Sequence, residues 1–232
     1  MRQRKAKDME ARIKSCSHLL VEDPSPKAWQ ACFAHSGAEL FLEIGCGKGQ
    51  FIIKKALADP DSNYIAIEGQ ETVILRSLEK TMAAAGEQVK NDKIRISETK
   101  REIKNLKFAC TFVEHMADLF DESQLAGIYL NFSDPWPKAR HAKRRLTYRT
   151  RLRDYGWALK DGGFIEIKTD NDGLFAFTLE ELEETDFEII ELTRDLHASN
   201  FDSRNVTTEY EDKFSGKGKN INYVKAIIRK NK

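Results

Sequence analysis

The 232 residues suit one α/β domain with its own core and a short arm, and a hydrophobic share of 41% is that of an ordinary globular protein. The formal net charge is +1, so the overall balance selects no partner; the basic residues instead cluster in two places. Four cysteines without a Cys-x-x-Cys pair and five histidines without ligand spacing exclude a structural zinc, and no apolar stretch suits a signal peptide or a membrane span. The expectation is a cytoplasmic protein with reduced thiols and no metal.

Residues 1–36 read as a basic N-terminal arm. Arg2, Arg4, Lys5, Lys7, Arg12 and Lys14 crowd its start, and Pro24 and Pro26 interrupt any helix. A solvated terminus and a nucleic-acid contact are both open readings of it. From residue 37 to 232 the pattern is one domain. Leu40–Ile44 is a short buried strand running into glycines, Phe51–Ala58 a helix, Tyr64–Ile67 a second strand ending at Glu68. Glu71–Ala85 carries Val73, Ile74, Leu78 and Met82 at helical spacing and stops at Gly86. Lys107–Phe112 reads as a third strand, Ile128–Phe132 as a fourth, Lys143–Trp157 as a helix, and Asp161-Gly162-Gly163 as a turn before a fifth strand, Phe164–Lys168. A helix over about 174–184 and strands at 187–192 and 222–228 close the chain. This alternation predicts an α/β fold: a mostly parallel central sheet with helices on both faces, binding ligands beyond the carboxyl ends of the strands.

The first strand runs into Glu43-Ile44-Gly45-Cys46-Gly47-Lys48-Gly49, a turn whose glycines let the backbone approach a ligand. A dinucleotide fingerprint needs its third glycine at position 50, where Gln50 stands, and no Gly-Lys-Ser/Thr marks a phosphate loop. Glu43 repels phosphate but attracts a sulfonium or an amino group. The E-x-G-x-G-x-G pattern resembles the first motif of class I S-adenosylmethionine-dependent methyltransferases, with Glu68 placed to accept the ribose hydroxyls. The fourth strand runs into Asn131-Phe132-Ser133-Asp134-Pro135-Trp136-Pro137-Lys138, where two prolines stiffen a loop that presents Asp134. A basic run follows: Lys138, Arg140, Lys143, Arg144, Arg145, Arg149, Arg151 and Arg153. Set directly after the loop, it reads as a phosphate-contacting surface for RNA.

Together these segments resemble the tRNA (guanine-N7-)-methyltransferases. The likeness is carried by L-E-I-G-C-G-K-G at 42–49, Y-L-N-F-S-D-P-W-P-K-A-R-H-A-K-R-R-L-T at 129–147, I-K-T-D-N at 167–171 and T-E-Y-E-D-K-F at 208–214. The resemblance implies a Rossmann-like class I methyltransferase fold and S-adenosylmethionine as cofactor. It implies that Glu43, Gly45, Gly47, Glu68 and Asp134 bind that cofactor, that Asp134 is catalytic, and that Lys138, Asp170, Thr208, Glu209, Tyr210 and Glu211 hold a tRNA substrate, with the chain acting as a monomer or homodimer. The family usually carries an acid near the cofactor adenine; here Phe112 stands at that place, and either Glu114 or backbone groups and packing take over the adenine. Guanine N7 has a free lone pair, so alignment is the main demand and no strong base is required. Amino methylation of a base and an RNA-binding module without catalysis are the competing readings. The first lacks a proline between Asp134 and Trp136, and the second sits poorly with intact Glu43, Glu68 and Asp134.

Overall fold

The computed structural model describes residues 8–35, 37–85, 87–90, 93–96, 103–215 and 219–230; Gly86 and the basic residues Arg2, Arg4, Lys5 and Lys7 lie outside them. Two short helices come first, α1 (Met9–Ser15) and α2 (Pro26–Cys32). Pro26 starts α2 instead of breaking it: it occupies the first turn, where its missing N–H has no helical partner to lose. Ser25 caps the helix by accepting from the Ala28 N–H at 3.3 Å. Trp29 on α2 is only 1% exposed and stacks on Phe120, with ring centroids 6.1 Å apart. Met9, Cys16, Leu19 and Phe33 are buried as well, and the Val21 N–H donates to the Phe108 carbonyl at 2.8 Å. Residues 8–35 are therefore packed against the domain and are not a solvated terminus.

The remaining elements are β1 (Leu40–Ile44), α3 (Gln50–Ala58), β2 (Asn63–Ile67), α4 (Glu71–Ala84), β3 (Glu87–Lys90), β4 (Lys93–Ile96), β5 (Leu106–Ala109) and β6 (Leu125–Asn131). After these come α5 (Arg149–Ala158), β7 (Leu159–Thr169), α6 (Asp172–Glu183), β8 (Phe187–Thr193), α7 (Glu209–Ser215) and β9 (Asn222–Ile228). Among the described residues, seven strands form one sheet in the order β5-β2-β1-β6-β7-β9-β8, and β3 and β4 form a separate antiparallel pair. The first five strands of that order are parallel; β9 enters antiparallel between β7 and β8. Alternation along β1 sends Leu40, Leu42 and Ile44 into a core with Trp29, Leu152, Tyr155 and Phe175, under α2, α5 and α6. The opposite face packs Tyr64, Ala66, Phe108 and Tyr129 against Phe51, Ile52, Ile74 and Leu78 of α3 and α4.

Four differences from the sequence reading go beyond a residue or two at the end of an element. The third strand stops at Ala109, which pairs with Ile67, the last residue of β2; beyond it the ladder has no partner, and Cys110–Phe112 leave the sheet. The fourth strand begins earlier, at Leu125, because Gly127 is part of it: a side chain there would meet the Phe164 ring at 2.4 Å. Asp161-Gly162-Gly163 is a bulge inside β7, marked by the register shift between Leu125 and Gly127. The basic stretch is two pieces, a 3-10 helix at Ala139–Arg144 and α5 from Arg149, divided by buried Thr147, whose hydroxyl is hydrogen-bonded with that of Thr178 at 2.9 Å.

Because Trp29 fills the core beneath α2, Trp29→Ala is expected to lower the unfolding free energy by about 3–5 kcal/mol in urea titration. A change below about 0.5 kcal/mol, the size usual for surface sites, would show the N-terminal helices to be detachable.

Candidate active site

The carboxyl ends of β1, β2, β6 and β7 bring together residues 43–49, 68, 131–138 and 170, and two adjoining cavities open there. One, of about 480 Å³, is lined by Glu43, Gly45, Gly47, Asn131, Phe132 and the segment Thr208-Glu209-Tyr210. The other, of about 730 Å³, is lined by Gly45, Glu68, Phe112, Asn131, Asp134 and Trp136 among its residues. Gly45, Asn131 and Phe132 border both, so the two are halves of one cleft.

The loop after β1 is closed by hydrogen bonds from the Gly45 and Cys46 N–H groups to the Ile67 carbonyl, at 2.8 and 3.1 Å. Gly45, Gly47 and Gly49 all have φ between +57° and +79°, which side chains disfavour. A Cβ at Gly45 or Gly47 would project into open space, leaving their backbone bare to the cleft, whereas one at Gly49 would meet Ser77 at 2.9 Å. Glu68 ties this loop to β2: its Oε2 accepts from the Gly47 N–H at 3.2 Å and its Oε1 from the Gln70 N–H at 3.0 Å. Burial raises the Glu68 carboxyl above the usual range, with those backbone donors acting against the rise.

Glu43 is 1% exposed. Its Oε1 accepts from Asn131 Nδ2 at 2.8 Å, while its Oε2 is buried without a hydrogen-bond partner among the described residues. Burial pushes this carboxyl up to about 7; the Asn131 bond and the charge of Lys168 pull it down, and Glu68 adds to the rise. Glu43 borders the smaller cavity, and a buried carboxyl oxygen without a donor there is fitted to a cationic or N–H-bearing ligand.

Asp134 stands exposed directly before the two prolines, Pro135 and Pro137, and lines the larger cavity. The loop is held in unusual backbone: Phe132 and Trp136 have φ of 52° and 40°, a region that is strained for non-glycine residues. Arg145 holds it from outside. Its Nε donates to the Pro135 carbonyl at 3.0 Å and its Nη2 to the Trp136 carbonyl at 3.1 Å, with the guanidinium 4.2 Å from the centroid of the Phe177 ring. Arg144 lies over the Trp136 ring.

The basic run thus divides. Arg145, Arg149, Arg151 and Arg153 have structural bonds, to the loop carbonyls, to Glu181, to the Val113 carbonyl and to the Glu184 carbonyl. Lys138, Arg140, Lys143 and Arg144, at and along the 3-10 helix, are exposed.

Asp170, at the end of β7, accepts from the Tyr210 hydroxyl at 2.9 Å and from Lys219 Nζ at 2.6 Å. Tyr210 also packs on Phe132, with centroids 4.8 Å apart, and Glu209 is ion-paired with Lys80. Thr208 and Glu211 form a capping box at the head of α7: the Glu211 N–H donates to Thr208 Oγ1 at 3.0 Å and the Thr208 N–H to Glu211 Oε2 at 3.3 Å. Glu211 is fully buried and pairs at 3.0 Å with Lys168, a lysine inside β7 that also donates to Asn205 Oδ1 and to the Val206 carbonyl. The structure therefore gathers Glu43, Gly45, Gly47, Glu68, Asp134, Thr208, Glu209 and Tyr210 around the cleft, fastens Asp170 to Tyr210, sets Lys138 on the exposed surface, and turns Glu211 inward. Sequence reasoning missed Asn131 and Lys168, and it read Arg145, which holds the loop, as a phosphate contact. Only Lys168 left a local signal, a charge within the apolar run of β7.

The strand order, the glycine loop after β1 and the acid after β2 define a Rossmann-like class I methyltransferase fold. Solved structures of this fold align over most of the chain. An antibiotic-related methyltransferase has a TM-score of 0.60 at 16% identity, covering 89% of this chain and 94% of its own. The 16S rRNA methyltransferase KamB has 0.62 at 10% identity, covering 90% and 96%. At those identities the likeness is one of fold. Residues 37–224 match a family model described as a putative methyltransferase. A tRNA (guanine-N(7)-)-methyltransferase of Mesoplasma florum is 47% identical over 201 residues, spanning 85% of this chain and 84% of the relative. The chain belongs to the tRNA (guanine-N7-)-methyltransferase family.

Arg145→Ala is expected to release the Asp134 loop. Turnover should fall by about 10- to 100-fold, as misplacement of about 1 Å can do, with cofactor affinity retained. Arg145→Lys should restore little, since an ammonium cannot fork between two carbonyls. Single-turnover kinetics beside calorimetry checks this; unchanged turnover would remove Arg145 from the positioning of the loop.

Proposed function

We propose that this chain transfers the methyl group of S-adenosylmethionine to N7 of a guanine in tRNA, in the variable loop. The observation that carries the cofactor assignment is the unpartnered Glu43 oxygen at the cleft; the substrate follows from the 47% identical relative named for that reaction. When bound, S-adenosylmethionine supplies an electrophilic methyl group on a sulfonium.

Glu43, ionised, pairs with the amino end of the cofactor, and Asn131 keeps its carboxyl oriented. Glu68 accepts from the ribose hydroxyls with the lone pairs its backbone donors leave free. The bare backbone at Gly45 and Gly47 admits the ligand closely. Asp134, at the rim between cofactor and substrate, offsets the positive charge arriving on the ring; the N1–H and amino group, on the edge of guanine opposite N7, suit the carboxylate of Asp170. Asp170 and the Thr208-Glu209-Tyr210 segment, anchored from below by Glu211, flank the base from the other half of the cleft. No residue has to withdraw a proton, because N7 presents a lone pair; the chain's task is alignment. The exposed Lys138, Arg140, Lys143 and Arg144 contact tRNA phosphates.

The match beginning at residue 37 supports an N-terminal segment, 1–36, that precedes the methyltransferase domain, 37–232. No described helix is long and apolar enough to cross a membrane. Among the described residues no cluster of acidic, His and Cys side chains is placed to hold a metal ion. A cytoplasmic enzyme acting as a monomer or homodimer fits this reading.

Three outcomes are expected, two of them from turnover and one from binding. With methyl-labelled cofactor and unmodified tRNA, label should appear as 7-methylguanosine after digestion. Asp134→Ala should lose about 100-fold or more in turnover with its melting temperature kept, since the residue is exposed. Label in another nucleoside would overturn the assignment of the Asp134 loop. In binding, a cation takes the ionised form of Glu43, whose carboxyl burial pushes up to about 7. Affinity for S-adenosylhomocysteine should therefore rise with pH, by up to about tenfold per unit below that value, and level off above it. Calorimetry across this range checks it, and Glu43→Gln should flatten the slope; an equal slope in the variant would exclude Glu43 as its origin.

A further inference from the structure

The far end of the larger cavity, beyond Glu68 as seen from Glu43, is formed by Gly69, Gln70, Thr111, Phe112 and Glu114. Its most prominent feature is Phe112, which is 72% exposed, the most exposed large apolar side chain among the described residues. The loop that carries it leaves the sheet where β2 and β5 end. Its ring lies directly against the backbone of Gly69, next to Glu68: a Cβ built at Gly69 would stand 2.3 Å from Phe112 Cε1. The absence of a side chain at Gly69 is thus what seats the ring, while its remaining surface stays open to the cleft. An aromatic ring this exposed at the edge of a cavity offers its face to a flat ligand there. Beside the ring, Gln70 and Glu114 line the same end of the cavity but are exposed, where water competes for their hydrogen bonds. The Thr111 hydroxyl turns to the Phe112 carbonyl at 3.4 Å.

This inference rests on the cofactor reading above. With the amino end of the cofactor at Glu43 and its ribose at Glu68, the base extends to Phe112. We propose that Phe112, seated on Gly69, is the platform on which the adenine ring stacks, so that this chain recognises the base by its flat face and not by a hydrogen bond to its 6-amino group. A stacking platform grips any purine of the same outline, because every base has a π-face. An acceptor for the amino group would instead reject a purine that lacks it, since its own buried group would be left unpaired.

The test is calorimetric and needs no turnover. S-adenosylhomocysteine and its deaminated analogue, S-inosylhomocysteine, are titrated into the whole protein and into the Phe112→Ala and Phe112→Trp variants. The wild type is expected to bind the two within about threefold of each other. Phe112→Ala should weaken both by about tenfold or more, and Phe112→Trp should keep both within about threefold of wild type. Phe112 is exposed, so the variants should melt as the wild type does. A preference above about threefold for the adenosine compound, or wild-type affinity in Phe112→Ala, would overturn the stacking assignment and leave the cofactor site standing. Failure of the folded wild type to bind S-adenosylhomocysteine at all would instead overturn the cofactor reading, and this inference with it.

Discussion

The site depends on one carboxyl group buried without its full set of hydrogen bonds. Glu43 is there because of strand geometry. Leu42 and Ile44 face the core under α2, α5 and α6, so the residue between them must face the other way. On that side α3 starts only after the glycine loop, which leaves a gap over the strand end. Asn131, at the end of the neighbouring β6, satisfies one oxygen, and Lys168 on β7 lends its charge from further along the sheet. The other oxygen has no such partner among the described residues. A carboxyl in that condition favours its neutral form until a cation arrives, which makes the strand end a receptor for positive charge.

Around that group the fold solves a second problem, how to hold loops rigidly where the sheet gives no ladder. The Asp134 loop carries two side-chain-bearing residues in left-handed backbone, and the two carbonyls between its prolines are bonded by one guanidinium. Across the cleft, Thr208–Tyr210 is held from beneath by the buried Lys168–Glu211 pair and by the capping box that Glu211 completes. Such a pair contributes little net stability, since desolvation offsets attraction, but it fixes a segment remote in sequence against β7. The rim is thereby set by interactions that lie outside the cleft.

The same economy governs the positive charges. Arg145, Arg149 and Arg151 come from one continuous basic run with Lys138, Arg140, Lys143 and Arg144, yet the first three point inward to carbonyls and to Glu181. A planar fork of donors suits Arg for such inward roles, while the exposed members lie at and along the short 3-10 helix that follows the Asp134 loop. Density of charge in the sequence therefore overstates the surface offered to RNA.

The sequence by itself determined the alternation of strands and helices, the glycine turn after β1, the acids at the strand ends and the stiff Asp134 loop. These are local: side-chain period, backbone freedom at glycine and proline torsions act within a few residues. It also carried the motifs that identify the family. It did not reveal that residues 8–35 are packed, since the partners of Trp29 and Leu20 lie some 90 residues away, at Phe120 and Phe108. Nor could it separate Glu211 from Glu209: both are acids in one surface-like stretch, and only contact with Lys168, 43 residues earlier, turns one of them inward. The same holds for Arg145 and for the unpartnered oxygen of Glu43. Hydrogen bonding of a buried group is settled by which strands and loops the tertiary fold brings beside it, and those neighbours are not encoded in the residue's own surroundings in the chain.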